Sequence, residues 1–245
     1  TQERPVGIAL GEPEAAPLSS DWAVVNNIVT RCQINLLWYD NTQLVGEGLK
    51  GVVAHNTLTQ AVDVGLVVEA GAHQASVDNN IVIQANGQLV FVPTPLSGLS
   101  FSHNNWFGGK PQAAAGTGDV IGNCQLKDGL TGTTPGDFEI AAGSPCIDKG
   151  KALTAVQTDY FGLARPAGSG ADIGAHEHGA KPGADAGPVD LGVDAAPSKD
   201  AGAADGASDI GPGGDGSSGE GVGGDKGAED DDGCGCGVAA SPGGW

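Results

Sequence analysis

Methionine is absent from all 245 residues. That is what a processed chain or a fragment shows, and the polar opening Thr1-Gln2-Glu3-Arg4-Pro5 is no signal peptide. No apolar run reaches the roughly eighteen residues that a membrane-spanning helix needs. Basic residues are scarce: 11 Lys and Arg stand against 30 Asp and Glu, for a formal charge of −19. A chain so acidic has no patch that neutralises phosphates, so nucleic acid is excluded as a partner. Calcium is compatible with the acidity but is not demanded by it. The five cysteines contain no Cys-x-x-Cys pair, which argues against a zinc site. No cofactor and no metal cluster is expected.

What the chain has is a repeat. Four times between Val24 and Phe107 it reads apolar, two residues, Asn, one residue, apolar. The copies are Val24 to Val29, Val53 to Leu58, Val77 to Val82 and Phe101 to Trp106, and the aligned residues are Asn27, Asn56, Asn80 and Asn104. A second apolar triplet follows the first three copies: Leu36-Leu37-Trp38, Leu66-Val67-Val68 and Leu89-Val90-Phe91. Ile8-Ala9-Leu10 has the same character, so the chain is expected to begin inside a solenoid. Each run is too short for a helix and is bounded by Gly, Asn, Asp or Pro. Loops are expected over 11–22, 39–50, 69–75 and 92–98.

Such a unit cannot bury its apolar face alone; stacked units share one core. Strands about 4.8 Å apart would place the four Asn amides on one another at a bend, each satisfying the next. Val53, Leu58, Val77, Val82, Phe101 and Trp106 should then point inward. The expected class is all-β, a parallel β-helix solenoid over residues 1–110.

This pattern resembles the right-handed parallel β-helix of the pectate-lyase-like superfamily, whose coils often read apolar-x-x-Asn-x-apolar. The resemblance implies the fold. It also brings an activity class, because the superfamily includes polysaccharide lyases and glycoside hydrolases.

Residues 111–178 change character. Ala141-Ala142-Gly143-Ser144-Pro145-Cys146-Ile147-Asp148-Lys149-Gly150 is followed by Arg165-Pro166 and by Ala171-Asp172-Ile173-Gly174-Ala175-His176-Glu177. This run is similar to the choice-of-anchor Q module that closes many secreted β-helix proteins. It departs from that pattern at His176, where Tyr is usual, and at Asn123-Cys124-Gln125-Leu126. A solenoid end exposes a sheet edge and an open core, so a cap is required. Asp148, Asp159, Arg165, Asp172 and Glu177 are expected to pair over that end. Cys124 and Cys146 either form a disulfide, worth roughly 3 kcal/mol for a loop of this size, or remain two small buried thiols.

Residues 179–232 are mostly Gly, Ala, Pro, Ser and Asp, with no aromatic residue. Such a tract has too little apolar surface to fold and is expected to be a disordered acidic tether. Residues 233–245 begin with Gly233-Cys234-Gly235-Cys236, which resembles the C-terminal sorting signal of myxobacterial surface proteins. The resemblance implies Cys234 and Cys236 as the anchor point of a secreted protein held at the cell surface or outer membrane. The membrane would then be met only through that anchor.

Chemistry is harder to place. A hydrolase of this kind needs two carboxyls about 5–10 Å apart, and Asp40, Glu47, Asp63, Glu69 and Asp78 do not share a repeat register. Arg31 is the one Arg between residues 5 and 164, and Lys50 and Lys110 fall in loops. The residues before the ladder asparagines form one polar column, Asn26, His55, Asn79 and His103, along which a sugar could run; an ordinary turn is the plainer reading. Trp22 and Tyr39 are candidate stacking platforms. The expectation is a monomeric surface protein that binds a polysaccharide or extracellular matrix. The alternatives are a lyase or hydrolase whose catalytic coils lie elsewhere, and a passive spacer.

Overall fold

The computed structural model describes residues 5–10, 22–38, 49–68, 72–92, 98–181 and 237–239. Among these there is no α-helix. The strands are β1 (Ile8–Leu10), β2 (Trp22–Val25), β3 (Ile28–Thr30), β4 (Ile34–Trp38), β5 (Leu49–Ala54), β6 (Thr57–Thr59) and β7 (Val64–Val68). They continue with β8 (Ala72–Asp78), β9 (Ile81–Ile83), β10 (Gln88–Phe91), β11 (Leu99–Ser102), β12 (Asn105–Phe107), β13 (Val120–Ile121) and β14 (Gly237–Ala239). Strands β5 and β8 start well before their apolar triplets, so residues 49–50 and 72–75 belong to the ladder and not to the loops expected there.

Three sheets result. The first has the order β1-β4-β7-β10, the second β2-β5-β8-β11, and the third β3-β6-β9-β12-β13 with β14 added beside β3. Every pairing is parallel except that of β14 with β3. Each coil gives one strand to each sheet in turn, an arrangement consistent with a parallel β-helix.

Period 2 along each short strand sends alternate side chains inward. Val29, Leu58, Val82 and Trp106 stack in register on the inner side of the third sheet, all fully buried. Val53 and Val77 meet them from the second sheet, and Leu36 and Leu66 from the first. One register differs from the sequence alignment. Val90, not Leu89, lies on Leu66, and Phe91 lies on Val67. A slip of one residue exchanges the faces of a strand. It turns Phe91 outward, in line with Val67 and Leu37, and leaves it 48% exposed.

The third sheet is covered on its outer side as well. Its outward residues include Ile28, Ile81, Ile83 and the half-buried Phe107, and residues 124–175 pack onto them. Cys124, Ile140, Cys146 and Ile173 join Ile81 and Ile83 in one apolar cluster, while Phe138 and Ala175 join Ile28 in another. Cys124 and Cys146 are bridged by a disulfide with Cα atoms 5.4 Å apart. Cys32, fully buried where β3 turns into β4, is also a disulfide cysteine.

The expectation of a cap seated on the solenoid end needs correction. A short 3-10 turn, Gln112–Ala114, does put the buried Ala114 into the coil core. The rest of the module runs along the flank of the third sheet, back to the coil of β2 and β3. The physical reason is the apolar outer face of that sheet, which would otherwise stand in water. Of the tail, residues 182–236 lie outside the described residues, with Cys234 and Cys236 among them, and so does Tyr39.

Candidate functional site

The four asparagines form a continuous ladder at the bend between the second and third sheets. Asn27, Asn56 and Asn80 each donate from backbone N–H and from Nδ2 to the Oδ1 of the next rung, at 2.9–3.0 Å. Each lower Nδ2 also donates to a carbonyl in the coil above, as Asn56 does to Val24 at 2.9 Å and Asn80 to Val53 at 2.9 Å. The column is fully buried below Asn27 and satisfied throughout.

The last rung is Asp119. Its Oδ1 accepts the N–H of Asn104 at 2.9 Å, and its Oδ2 accepts the Trp106 indole N–H and the Gly116 N–H, both at 2.8 Å. A ladder in which each rung donates downward needs a pure acceptor at its foot, and a carboxylate is one. Sequence reasoning missed this role because Asp119 follows Asn104 after 15 residues, not 24.

The column before the ladder is brought together too, and the backbone explains its composition. Asn26, His55, Asn79 and His103 have φ of 57°, 53°, 60° and 54°. Asn and His tolerate this left-handed region better than most side chains. Three of its residues, Asn26, His55 and Asn79, are buried, and His103 is half-buried. Asn26 Nδ2 donates to the Thr158 carbonyl at 2.7 Å, and Asn79 makes two 2.8 Å bonds to the Lys151 backbone, one in each direction. His55 is fully buried with its Nε2 2.8 Å from Asn79 Nδ2. Burial holds the His55 imidazole well below its usual pKa, and the Arg165 charge acts the same way. Gly118 sits so close to the His103 ring that a Cβ there would come within 2.4 Å of it.

Arg165 organises the flanking module. It is 8% exposed and donates to Glu177 Oε2 at 2.8 Å, to the Gly174 carbonyl at 2.8 Å and to Asn26 Oδ1 at 3.4 Å. Glu177 Oε2 also accepts the Asp172 N–H at 2.9 Å, and its Oε1 accepts the Ala167 N–H at 2.8 Å. Asp172 accepts from the Asp148 and His178 backbones, and Asp159 from Phe161, Leu163 and Glu177. Asp148 in turn accepts the Gly170 N–H at 2.9 Å. Asp148, Asp159, Arg165, Asp172 and Glu177 thus form one network, placed against the coil bends.

Burial raises the Asp172 carboxyl to about 6 and raises Asp159 as well. His176 is pushed down to about 4, mainly by burial, and its Nδ1 accepts the Ile140 N–H at 3.2 Å. Within the run Asp172 to Ala175 each residue has a task. Ile173 fills the cluster on Ile81. Gly174 (φ 98°) approaches so closely that a Cβ would meet Ile81 Cδ1 at 2.5 Å. The Ala175 N–H donates to Thr57 Oγ1 at 3.0 Å.

Outside the network lies an open recess beside the third sheet. Ile83, Phe107 and Leu126 give it an apolar floor, and Asn123, Lys127 and Asp128 stand around it. Leu130, 53% exposed, borders it. Lys127 pairs with Glu139 at 2.6 Å in an exposed contact, of a kind worth little to stability. Among the described residues no group of three or more His, Cys, Asp or Glu side chains is placed to hold a metal ion. Likewise among them, no helix is long and apolar enough to cross a membrane.

No family model and no curated protein matches this chain.

Proposed function

We propose that this chain is a secreted, surface-displayed right-handed β-helix of the pectate-lyase-like type, and that it binds an extended glycan or matrix polymer without cleaving it. The choice-of-anchor Q resemblance of residues 111–178 and the sorting-signal resemblance around Cys234 and Cys236 support display at a cell surface. The observation that carries the binding reading is how the ionisable groups are used. Asp78 bonds to Ser102 and Lys151, Asp119 ends the ladder, and Asp159, Arg165, Asp172 and Glu177 hold the flank. These groups are spent inside the protein. What faces a ligand at the recess is the Asn123 amide, the Lys127 ammonium, which Glu139 pairs, and the Asp128 carboxylate, which accepts from Thr131, around an apolar floor, a set suited to hydrogen-bonding and apolar contact.

The test is binding of defined acidic and neutral polysaccharides by calorimetry, with the double variant Lys127→Ala/Leu130→Ser as control. Both side chains are half or more exposed, so the fold should survive. Binding that weakens about tenfold, roughly 1.4 kcal/mol, in a folded variant supports the reading. Unaltered binding, or release of reducing or unsaturated sugar ends by the parent protein, defeats it.

A further inference from the structure

Resting on the reading that this chain binds a glycan, we propose that the recess beside the third sheet is a subsite for the acetamido group of an N-acetylated amino sugar. The methyl lies on Ile83, Phe107 and Leu126, the carbonyl accepts from Asn123 Nδ2, and the N–H donates to the Asp128 carboxylate.

The floor follows from the sheet's own pattern. Ile83 and Phe107 are paired in register on the outward side of β9 and β12. Toward β3 that side is covered, where Phe138 and Leu126 meet Ile28; beside Ile83 and Phe107 the recess stays open. Leu126 is held from above. A Cβ on Gly129 would come within 2.7 Å of Leu126 Cδ1, so the turn that carries Asp128 lies directly on it.

The rim supplies one donor and one acceptor. Asn123 Oδ1 accepts the Gln125 N–H at 2.7 Å, which leaves Asn123 Nδ2 without a protein partner among the described residues. The Asp128 carboxylate accepts the Thr131 N–H at 3.1 Å, and the Thr131 hydroxyl lies 2.8 and 2.7 Å from its two oxygens. The hydroxyl bond, foremost, holds Asp128 below the ordinary carboxylate pKa. The group is therefore charged at neutral pH, and its oxygens have lone pairs left to accept with.

A donor, an acceptor and an aliphatic floor are the complement of a secondary amide that bears a methyl. Other sugar substituents fit less well. A hydroxyl set on the floor gives up its bonds to water without replacement. A uronate carboxylate meets the like charge of Asp128, and no cation is free to take it. Lys127 is paired with Glu139 at 2.6 Å, and the Arg31 charge that reaches Asp128 is opposed by that of Asp137. The recess holds about 180 Å³, against roughly 300–1,000 Å³ for a pocket that encloses a whole drug-sized ligand. It takes one substituent of a longer polymer.

The experiment uses the whole chain in calorimetry with three tetramers, of N-acetylglucosamine, glucose and galacturonate. The first should bind about tenfold more tightly than either of the others, roughly 1.4 kcal/mol. If it binds no tighter than they do, the subsite is wrong and glycan binding stands; if neither the tetramers nor the polysaccharides bind, both fail. Saturation-transfer NMR gives a second readout: the acetyl methyl should receive more saturation than any ring proton, and less overturns the proposal. Asn123→Asp keeps the oxygen that Gln125 needs and removes the donor. Asn123 is exposed, so the melting temperature should hold, while affinity for the N-acetylglucosamine tetramer falls about tenfold. Unchanged affinity in that variant overturns the assignment.

Discussion

Asp119 accepts the backbone N–H of Asn104 at 2.9 Å, in the place where every higher rung presents an Asn oxygen. Its other oxygen holds the Trp106 indole and the Gly116 amide. Asp119→Asn keeps the shape but puts an NH2 where an acceptor is needed. One or two buried donors then face another donor. The expected loss is about 1–3 kcal/mol, read from urea denaturation. An unchanged midpoint would show that the ladder does not depend on an acceptor at its foot.

Replacing a middle rung should cost more. Asn80→Ala removes the oxygen that takes both Asn56 donors and the NH2 that satisfies Val53 and Asp78. Several fully buried groups lose partners at once, and a small cavity remains. About 2–4 kcal/mol is expected from the stranded polar groups. The exposed Asn86, changed to Ala in parallel, should be nearly neutral.

The flank depends on one buried ion pair. Arg165→Met fits the volume but leaves Glu177 charged and without its cation, at a cost of about 3–5 kcal/mol. Proteolysis should register it first, by cleavage within 150–178 while the coils stay intact. Simultaneous change to Arg165→Met/Glu177→Leu should recover part of the loss. A double variant worse than the single one would argue against charge burial as the cause.

Acid should act on the flank with two opposed signs. His176 has its folded pKa lowered to about 4 from an ordinary value near 6.5. The unfolded chain binds the proton more readily between those values, so this contribution is lost as pH falls from about 6.5 through 4. His55 is shifted in the same direction. Asp172 is raised to about 6, so its folded form takes the proton first and its contribution grows as pH falls from 6 toward 4. His176→Tyr should therefore flatten acid destabilisation, and Asp172→Asn should steepen it. Melting temperatures between pH 4 and 7 measure both. Parallel curves for His176→Tyr and parent would rule out the histidine as a source.

Much of the coil was legible in the sequence because one side-chain type recurs at one place. The Asn residues fix the bend, and the apolar residues on either side of it fix the inner face. The register of Leu89-Val90-Phe91 was not legible, because a uniformly apolar run carries no register. The flank was not legible. Its contacts join an aperiodic segment to bends over a hundred residues earlier, as Asn26 to Thr158 shows. A signal existed in Ile28-Val29-Thr30 and Ile81-Val82-Ile83. Apolar side chains at consecutive strand positions mean burial on both faces, so a cover for the third sheet was called for. The polar column, whose plainer reading was an ordinary turn, has a local cause. Asn and His were selected there by a left-handed backbone, and such a demand is invisible until φ is known.

The position of the flanking module bears on how this architecture changes over generations. A solenoid held only by neighbour-to-neighbour contacts gains or loses a coil at little cost. Here Thr158 reaches Asn26, the backbone at Ala175 reaches Thr57, Lys151 reaches Asn79, and Gly118 abuts His103. The module works as a gauge laid across successive coils. Excising one 24-residue turn would shift each later bend by one spacing and leave every contact beyond the cut out of step. The number of coils it spans is thereby fixed by a segment that is not itself a coil.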